Sequence, residues 1–312
     1  MTLTSVDLGE ININVPVYDI AGNRPGKTLL VTGGMDGDEY AGMEACYRVV
    51  GRIKSKDIAG RLIVIPIVNT PGFWEEKSFN PIDQKFPKFA GVGKADGTPT
   101  QRLVAWLVES YAKHADFWLD LHGGSLTEVM SPFLWAWETG VRTIDTDVRA
   151  FIVNNAPRFG IFEWQRFPVG KAAALARMGC RYIVGEAGSS GPRREEDIRH
   201  HEAWIEAAMR LEGLIAQKKT SGRTPSILYE KVEFVRCKMP GLWFPADTTI
   251  RAVKNGELLG VVRSLNGKKS TAIVAKNVGQ LLWIKSGLRA LPTDDLVAIA
   301  HSPEEGNVYA TT

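Results

Sequence analysis

KTLLVTGGMDGDEYAGMEACYRVV, residues 27–50, holds the pattern on which the fold turns. Lys27–Thr32 is a short apolar run that ends at Gly33-Gly34, and Tyr40–Val50 places apolar residues at helical spacing. An apolar run without alternation suits a strand buried on both faces, as in a parallel sheet flanked by helices. Between strand and helix lies Met35-Asp36-Gly37-Asp38-Glu39, whose glycines permit a sharp turn and leave room for a ligand.

The same pattern recurs outward from this segment. Arg61–Val68 reads as a second strand, closed by Asn69-Thr70-Pro71-Gly72. Phe73–Pro99 reads as a long irregular stretch, and loops of that length in compact domains are usually functional. Thr100–Ala112 follows as a helix, and Phe117–Leu121 is a third strand stopping at His122-Gly123-Gly124. A fourth strand, Arg181–Gly185, ends at Glu186, and Asp197–Gln217 is a long amphipathic helix. Strands alternating with helices predict an α/β fold with a mixed, mostly parallel sheet flanked by helices. After Gly222 short β-prone runs are separated by turns such as Asn255-Gly256 and Asn266-Gly267. The expected organisation is an α/β domain over 1–222 and a small all-β domain over 223–312, joined by a linker at Lys218–Pro225.

Composition excludes several classes. Lys and Arg number 38 against 35 Asp and Glu, a net charge of +3, and no stretch gathers a basic nucleic-acid surface. Arg193-Arg194 is followed at once by Glu195-Glu196, as on a solvated helix. Cys46, Cys180 and Cys237 are dispersed, which fits reduced thiols rather than a disulfide framework. No apolar stretch approaches the ~20 residues of a membrane span, and the N-terminus has no signal-peptide pattern. The expectation is a soluble, cytoplasmic protein acting on a small molecule, with a homo-oligomer left open.

In open α/β sheets ligands gather beyond the carboxyl ends of the strands. Three such ends here carry metal-binding or acid–base groups: Asp36 and Glu39, His122, and Glu186. Two carboxylates and an imidazole make a three-ligand site with an open position. Each residue also has a plainer reading. Asp36 or Asp38 would serve as a helix N-cap, His122 as a structural histidine, and Glu186 as a partner of Arg181 or Arg193. Trp135, Trp137, Trp164 and Phe162 would line an apolar pocket or, by the same signal, pack in the core.

The order of these segments resembles the succinylglutamate desuccinylase/aspartoacylase family of zinc-carboxypeptidase-like hydrolases. GGMDGDEYAG at 33–42, NTPGF at 69–73, DLHGG at 120–124 and GEAGSSG at 185–191 follow that family's motifs in sequence. GLWFP at 241–245 and NGELLG at 255–260 resemble the β domain that often follows. The resemblance implies hydrolysis of an amide, less readily an ester, in a small N-acylated molecule. It implies one divalent metal per chain, zinc first, with Glu39 and His122 as ligands and Glu186 as general acid/base. Asp120, two residues before His122, shares its strand face and would stand behind it in a second shell.

Two departures bear on function. The family's leading metal histidine is Asp36 here, itself a competent ligand. The family's Asn-Arg substrate pair is missing from Pro81-Ile82-Asp83-Gln84-Lys85-Phe86-Pro87, and an arginine often found before it is replaced by Ser78. Acylated acidic amino acids are therefore expected to be poor substrates. Lys85, Lys88, Arg102 or Arg166 would have to supply a cation. A non-catalytic binding protein on the same scaffold, or a structural metal site, is the competing reading.

Overall fold

The computed structural model describes residues 1–165, 170–217 and 226–302. The chain opens with an antiparallel pair, β1 (Thr2–Asp7) and β2 (Asn12–Ala21), followed by β3 (Thr28–Gly33) and helix α1 (Tyr40–Arg52). β4 (Arg61–Ile65) stops where Pro66 removes a ladder donor, and a five-residue helix α2 (Thr70–Trp74) follows. Next come α3 (Pro99–Ser110), β5 (Phe117–His122), β6 (Glu128–Met130), β7 (Phe133–Trp137) and α4 (Arg142–Asn155). β8 (Phe159–Glu163), α5 (Gly170–Arg177), β9 (Arg181–Glu186), α6 (Glu195–Leu211) and β10 (Ile227–Tyr229) complete the first layer system.

Nine of these strands form one sheet in the order β1-β2-β4-β3-β5-β9-β7-β8-β10. β4, β3, β5 and β9 are mutually parallel, while β2 and β7 run against them on either side. The mixed, mostly parallel sheet expected from the sequence is thus present. Alternation along the central strands splits the core. Leu29, Val31, Phe117, Leu119, Leu121 and Ile183 meet α1, α4 and α6 on one face. Leu30, Trp118, Tyr182 and Val184 meet α3 and α5 on the other. Asp120 and His122 share the Trp118 face, because side chains two apart on a strand point the same way.

The remaining strands are β11 (Lys231–Arg236), β12 (Gly241–Pro245), β13 (Ala252–Val253), β14 (Leu258–Arg263), β15 (Ser270–Val274), β16 (Gly279–Lys285), β17 (Arg289–Ala290) and β18 (Asp295–His301). They pair antiparallel in two further sheets. The two parts exchange strands: β10 adds to the first sheet beside β8, and β6 pairs with β16. Phe133, Phe159 and Ile161 pack directly on Leu282, Ala298 and Ala300. The expected linker, Lys218–Pro225, lies wholly outside the described residues. Among the described residues no helix is long and apolar enough to cross a membrane.

Candidate metal centre

Register sets the site. Thr32 lies beside Asp120, and His122 lies beside Glu186, so β3, β5 and β9 deliver their carboxyl ends to one level. After β3 the chain turns through Gly34, at φ 61°, into Met35-Asp36-Gly37. Gly37 has no space for a side chain: a Cβ there would lie 2.2 Å from the Gly72 carbonyl carbon. The turn is therefore pressed against α2, which directs Asp36 and Glu39 inward. Gly123 likewise permits close approach, since its Cβ would sit 2.3 Å from the Ala187 oxygen.

Asp36, Glu39 and His122 are buried, and a ligand atom from each falls within 4.8 Å of the others. His122 Nδ1 is 2.9 Å from Glu39 Oε2, and the Gly123 N–H donates to the same oxygen at 3.0 Å. His122 Nε2 faces Asp120 Oδ2 at 3.4 Å. Asp120 is held in turn by the Tyr182 hydroxyl at 2.8 Å and the Thr32 hydroxyl at 2.6 Å, the latter accepting from Trp118 Nε1 at 2.7 Å. A carboxylate behind a histidine, itself hydrogen-bonded, fixes ring orientation as in many metal sites. Asp36 is bonded on one oxygen only: Oδ2 accepts from the Lys88 ammonium, and Oδ1 is buried without a partner.

This geometry decides against the capping reading of the turn. Glu39 occupies the N-cap position of α1 but makes no side-chain cap, and Asp36 bonds Lys88 instead. Asp38 accepts from the Ser78 hydroxyl at 2.7 Å.

Charges are tightly balanced. Burial pushes the Asp36 carboxyl up to about 7, against the nearby Lys88 ammonium. Burial works against the His122 imidazolium, but flanking Glu39 and Asp120 hold its pKa well above the usual value. Burial also opposes ionisation of Asp120, yet His122 brings that carboxyl down to about 2. Glu186, half-buried beside His122 and Phe133, is lifted by desolvation to about 8. Its carboxylate takes no hydrogen bond from any described residue. The partnerless buried Oδ1 of Asp36, beside Glu39 and His122, is a place where a cation fits.

The weaker expectations fall variously. Lys85 lies on the surface, and Arg102 donates from Nε to the Gly97 carbonyl at 2.9 Å. Arg166 lies outside the described residues. Of the aromatics, Phe162 is core and Trp164 is 53% exposed. Trp135 and Trp137 stack at 5.0 Å, with Trp137 stacked on Tyr182 at 6.2 Å. Two groups near the site were not singled out from the sequence. Glu128 takes the Ser125 N–H at 3.1 Å and lies within electrostatic reach of Lys88. Lys171 is set on the faces of Trp118 and Tyr182, 5.3 Å from each ring centre, its Nζ buried and without a hydrogen-bond partner. Neither stood in a recognisable motif.

Acidic and imidazole donors at parallel strand ends, with a further carboxylate on the next strand, are the kind of site that metal-dependent hydrolases carry on α/β scaffolds. A family model for the succinylglutamate desuccinylase/aspartoacylase catalytic domain matches residues 25–212, and the chain belongs to that family. It is 27% identical over 195 residues to an N-alpha-acetyl-L-2,4-diaminobutyric acid deacetylase of Halomonas elongata; the match covers 61% of this chain and 56% of that one. Among solved structures it is similar to a succinylglutamate desuccinylase/aspartoacylase from Rhodobacter sphaeroides, with TM-score 0.82, 20% identity, and 93% and 90% of the two chains covered. It is also similar to product-bound EutE (DoeB), an ectoine utilization protein from Ruegeria pomeroyi, with TM-score 0.81, 22% identity, and 93% and 90% covered.

Proposed function

We propose that this chain is a metal-dependent deacylase that hydrolyses an amide, in preference to an ester, in a small N-acylated amino acid. The observation that carries this reading is the convergence of Asp36, Glu39 and His122, with Glu186 beside His122. One divalent ion, zinc first among candidates, would be held by those three side chains, with Asp120 orienting His122. When bound, such an ion supplies Lewis acidity to a water and to the scissile carbonyl.

Glu186 moves the proton. As the water oxygen bonds to the acyl carbon, Glu186 takes a proton from it. It returns that proton to the leaving nitrogen as the C–N bond breaks, giving a carboxylic acid and an amine. Burial favours the protonated form of this carboxyl that must deliver the proton, and a bound cation would favour the ionised form that accepts it. Lys171, whose buried amine lacks a hydrogen-bond partner near Asp120 and Asp36 and whose pKa burial lowers, would gain a partner from a substrate carboxylate.

A second reading, a binding protein without catalysis, is favoured by one observation: a built-in cation, Lys88, already bonds the first ligand. The test uses protein stripped by chelator and reloaded with zinc or manganese. N-alpha-acetyl-L-2,4-diaminobutyrate, other N-acetyl amino acids, N-acetylaspartate and succinylglutamate would be offered. We expect cleavage only after reloading, best on the less acidic N-acetyl amino acids. Metal-loaded protein that cleaves none of them would leave the binding reading in possession.

A further inference from the structure

Each of the three ligands has an outer hydrogen-bond partner. His122 has Asp120, Glu39 has the Gly123 N–H, and Asp36 has Lys88. Lys88 differs from the other two in origin. It comes from the segment between β4 and α3, where a 3₁₀ turn, Pro87–Phe89, carries it inward. Pro87 is buried, and the rings of Phe86 and Phe89 flank the ammonium at 5.6 and 5.5 Å. The lysine side chain stays 33% exposed while Asp36 is fully buried, so the stem enters from the surface and the charge ends inside. Among the described residues the ammonium is bonded to no carboxylate other than Asp36; Glu39 and Glu128 act on it from farther away.

We infer that Lys88 is the positioning residue of Asp36. Its ammonium holds Oδ2 and turns Oδ1, the oxygen left without a partner, toward a divalent cation as a single-oxygen ligand. A donor set with two carboxylates carries one more negative charge than a set with one, and Lys88 cancels the excess. The Asp36–Lys88 pair then serves the site as a neutral ligand does, with the orientation fixed from outside. Ligating carboxylates are ordinarily hydrogen-bonded in this way, and losing such partners typically weakens metal binding by ~10–100-fold. The inference rests on the metal-centre reading above.

The test is metal affinity, read without substrate. Zinc and manganese are titrated into stripped protein against a chromophoric chelator, for the unaltered chain, Lys88→Met, Lys88→Arg, Asp36→His, and Asp36→His with Lys88→Met. Lys88→Met should bind zinc ~10–100-fold more weakly, and Lys88→Arg should recover most of the loss. In the Asp36→His background there is no Oδ2 to hold, so Lys88→Met should cost nothing; this cycle separates positioning from general damage to the turn. Equal or tighter binding by Lys88→Met would overturn the inference, the tighter result showing that Lys88 competes with the metal. So would a similar loss in both backgrounds. An unaltered chain that binds no metal would overturn the metal-centre reading as well, whereas metal binding indifferent to Lys88 would overturn this inference alone.

Discussion

Loading the centre with metal should expel protons, and the number expelled should fall steeply with pH. Ligation requires Asp36 ionised and His122 neutral, and the incoming charge also favours ionised Glu186. In the metal-free protein burial lifts Asp36 to about 7 and Glu186 to about 8, while Glu39 and Asp120 keep His122 charged well above its usual range. At pH 6 Asp36 is then about nine-tenths protonated, and Glu186 and His122 are almost fully so, which sets the release at roughly three protons per ion. At pH 9 Asp36 and Glu186 have largely ionised, so the release falls by about two protons per ion. Isothermal titration calorimetry in buffers of different ionisation enthalpy, at matched pH, counts these protons directly. A release that does not change between pH 6 and 9, or that is near zero at pH 6, would refute the charge assignment. The same three groups fix a trend in stability. Their folded-state values lie above the ordinary ones, so the contributions of Asp36 and Glu186 are complete at low pH and are lost as pH rises through about 7 to 8, and His122 shifts in the same direction. Asp120, held near 2, contributes oppositely and loses its share only as pH falls toward that value. The chelated protein should therefore melt at lower temperature at pH 9 than at pH 6, and metal should reverse most of that loss.

Three further outcomes are expected. Glu186→Gln should keep its metal and fold while losing about 10²–10⁴-fold in kcat; near-normal turnover on a true substrate would remove Glu186 from the mechanism. Asp36→His, matched for metal and occupancy, makes the centre more positive and should move the acidic limb of the kcat/KM profile to lower pH; an unmoved or raised limb would show that Asp36 does not set the charge. Gly37→Ala should lower thermal stability by ~1–3 kcal/mol or more, because its Cβ meets the Gly72 backbone; an unchanged melting temperature would show that the turn does not press on α2.

How far the sequence carried the fold depended on burial. β3, β4, β5 and β9 are covered on both faces, so they read as unbroken apolar runs, and the carboxyl ends of β3, β5 and β9 are legible to within one residue. Arg61–Val68 was read three residues long because Ile67 and Val68 are apolar, yet Pro66 ends the ladder. The outer strands were invisible for the opposite reason. β1 is largely exposed, and β2 mixes Asn, Asp and Pro with its apolar positions. β7 and β8, whose aromatics read as pocket lining or core rather than as strands, are short strands whose partners come from distant sequence. At the site, the strand-end spacing brought forward Asp36, Glu39, His122, Asp120 and Glu186, which the fold does gather. What spacing could not do was choose among lysines. Lys85 and Lys88 lie three apart on one irregular segment, and only the 3₁₀ turn at Pro87 sends one inward and leaves the other in solvent. Lys171 and Glu128 reach the site through tertiary packing alone.

The central claim is the metal centre itself, and anomalous diffraction tests it most directly. Crystals of the stripped protein, soaked in zinc and measured on both sides of the zinc edge, should show one strong peak per chain within bonding distance of Asp36 Oδ1, Glu39 and His122 Nδ1, with Lys88 still on Asp36 Oδ2. No peak there, or a peak held by other residues while the Asp36–Lys88 pair stays closed over an empty site, would contradict the account.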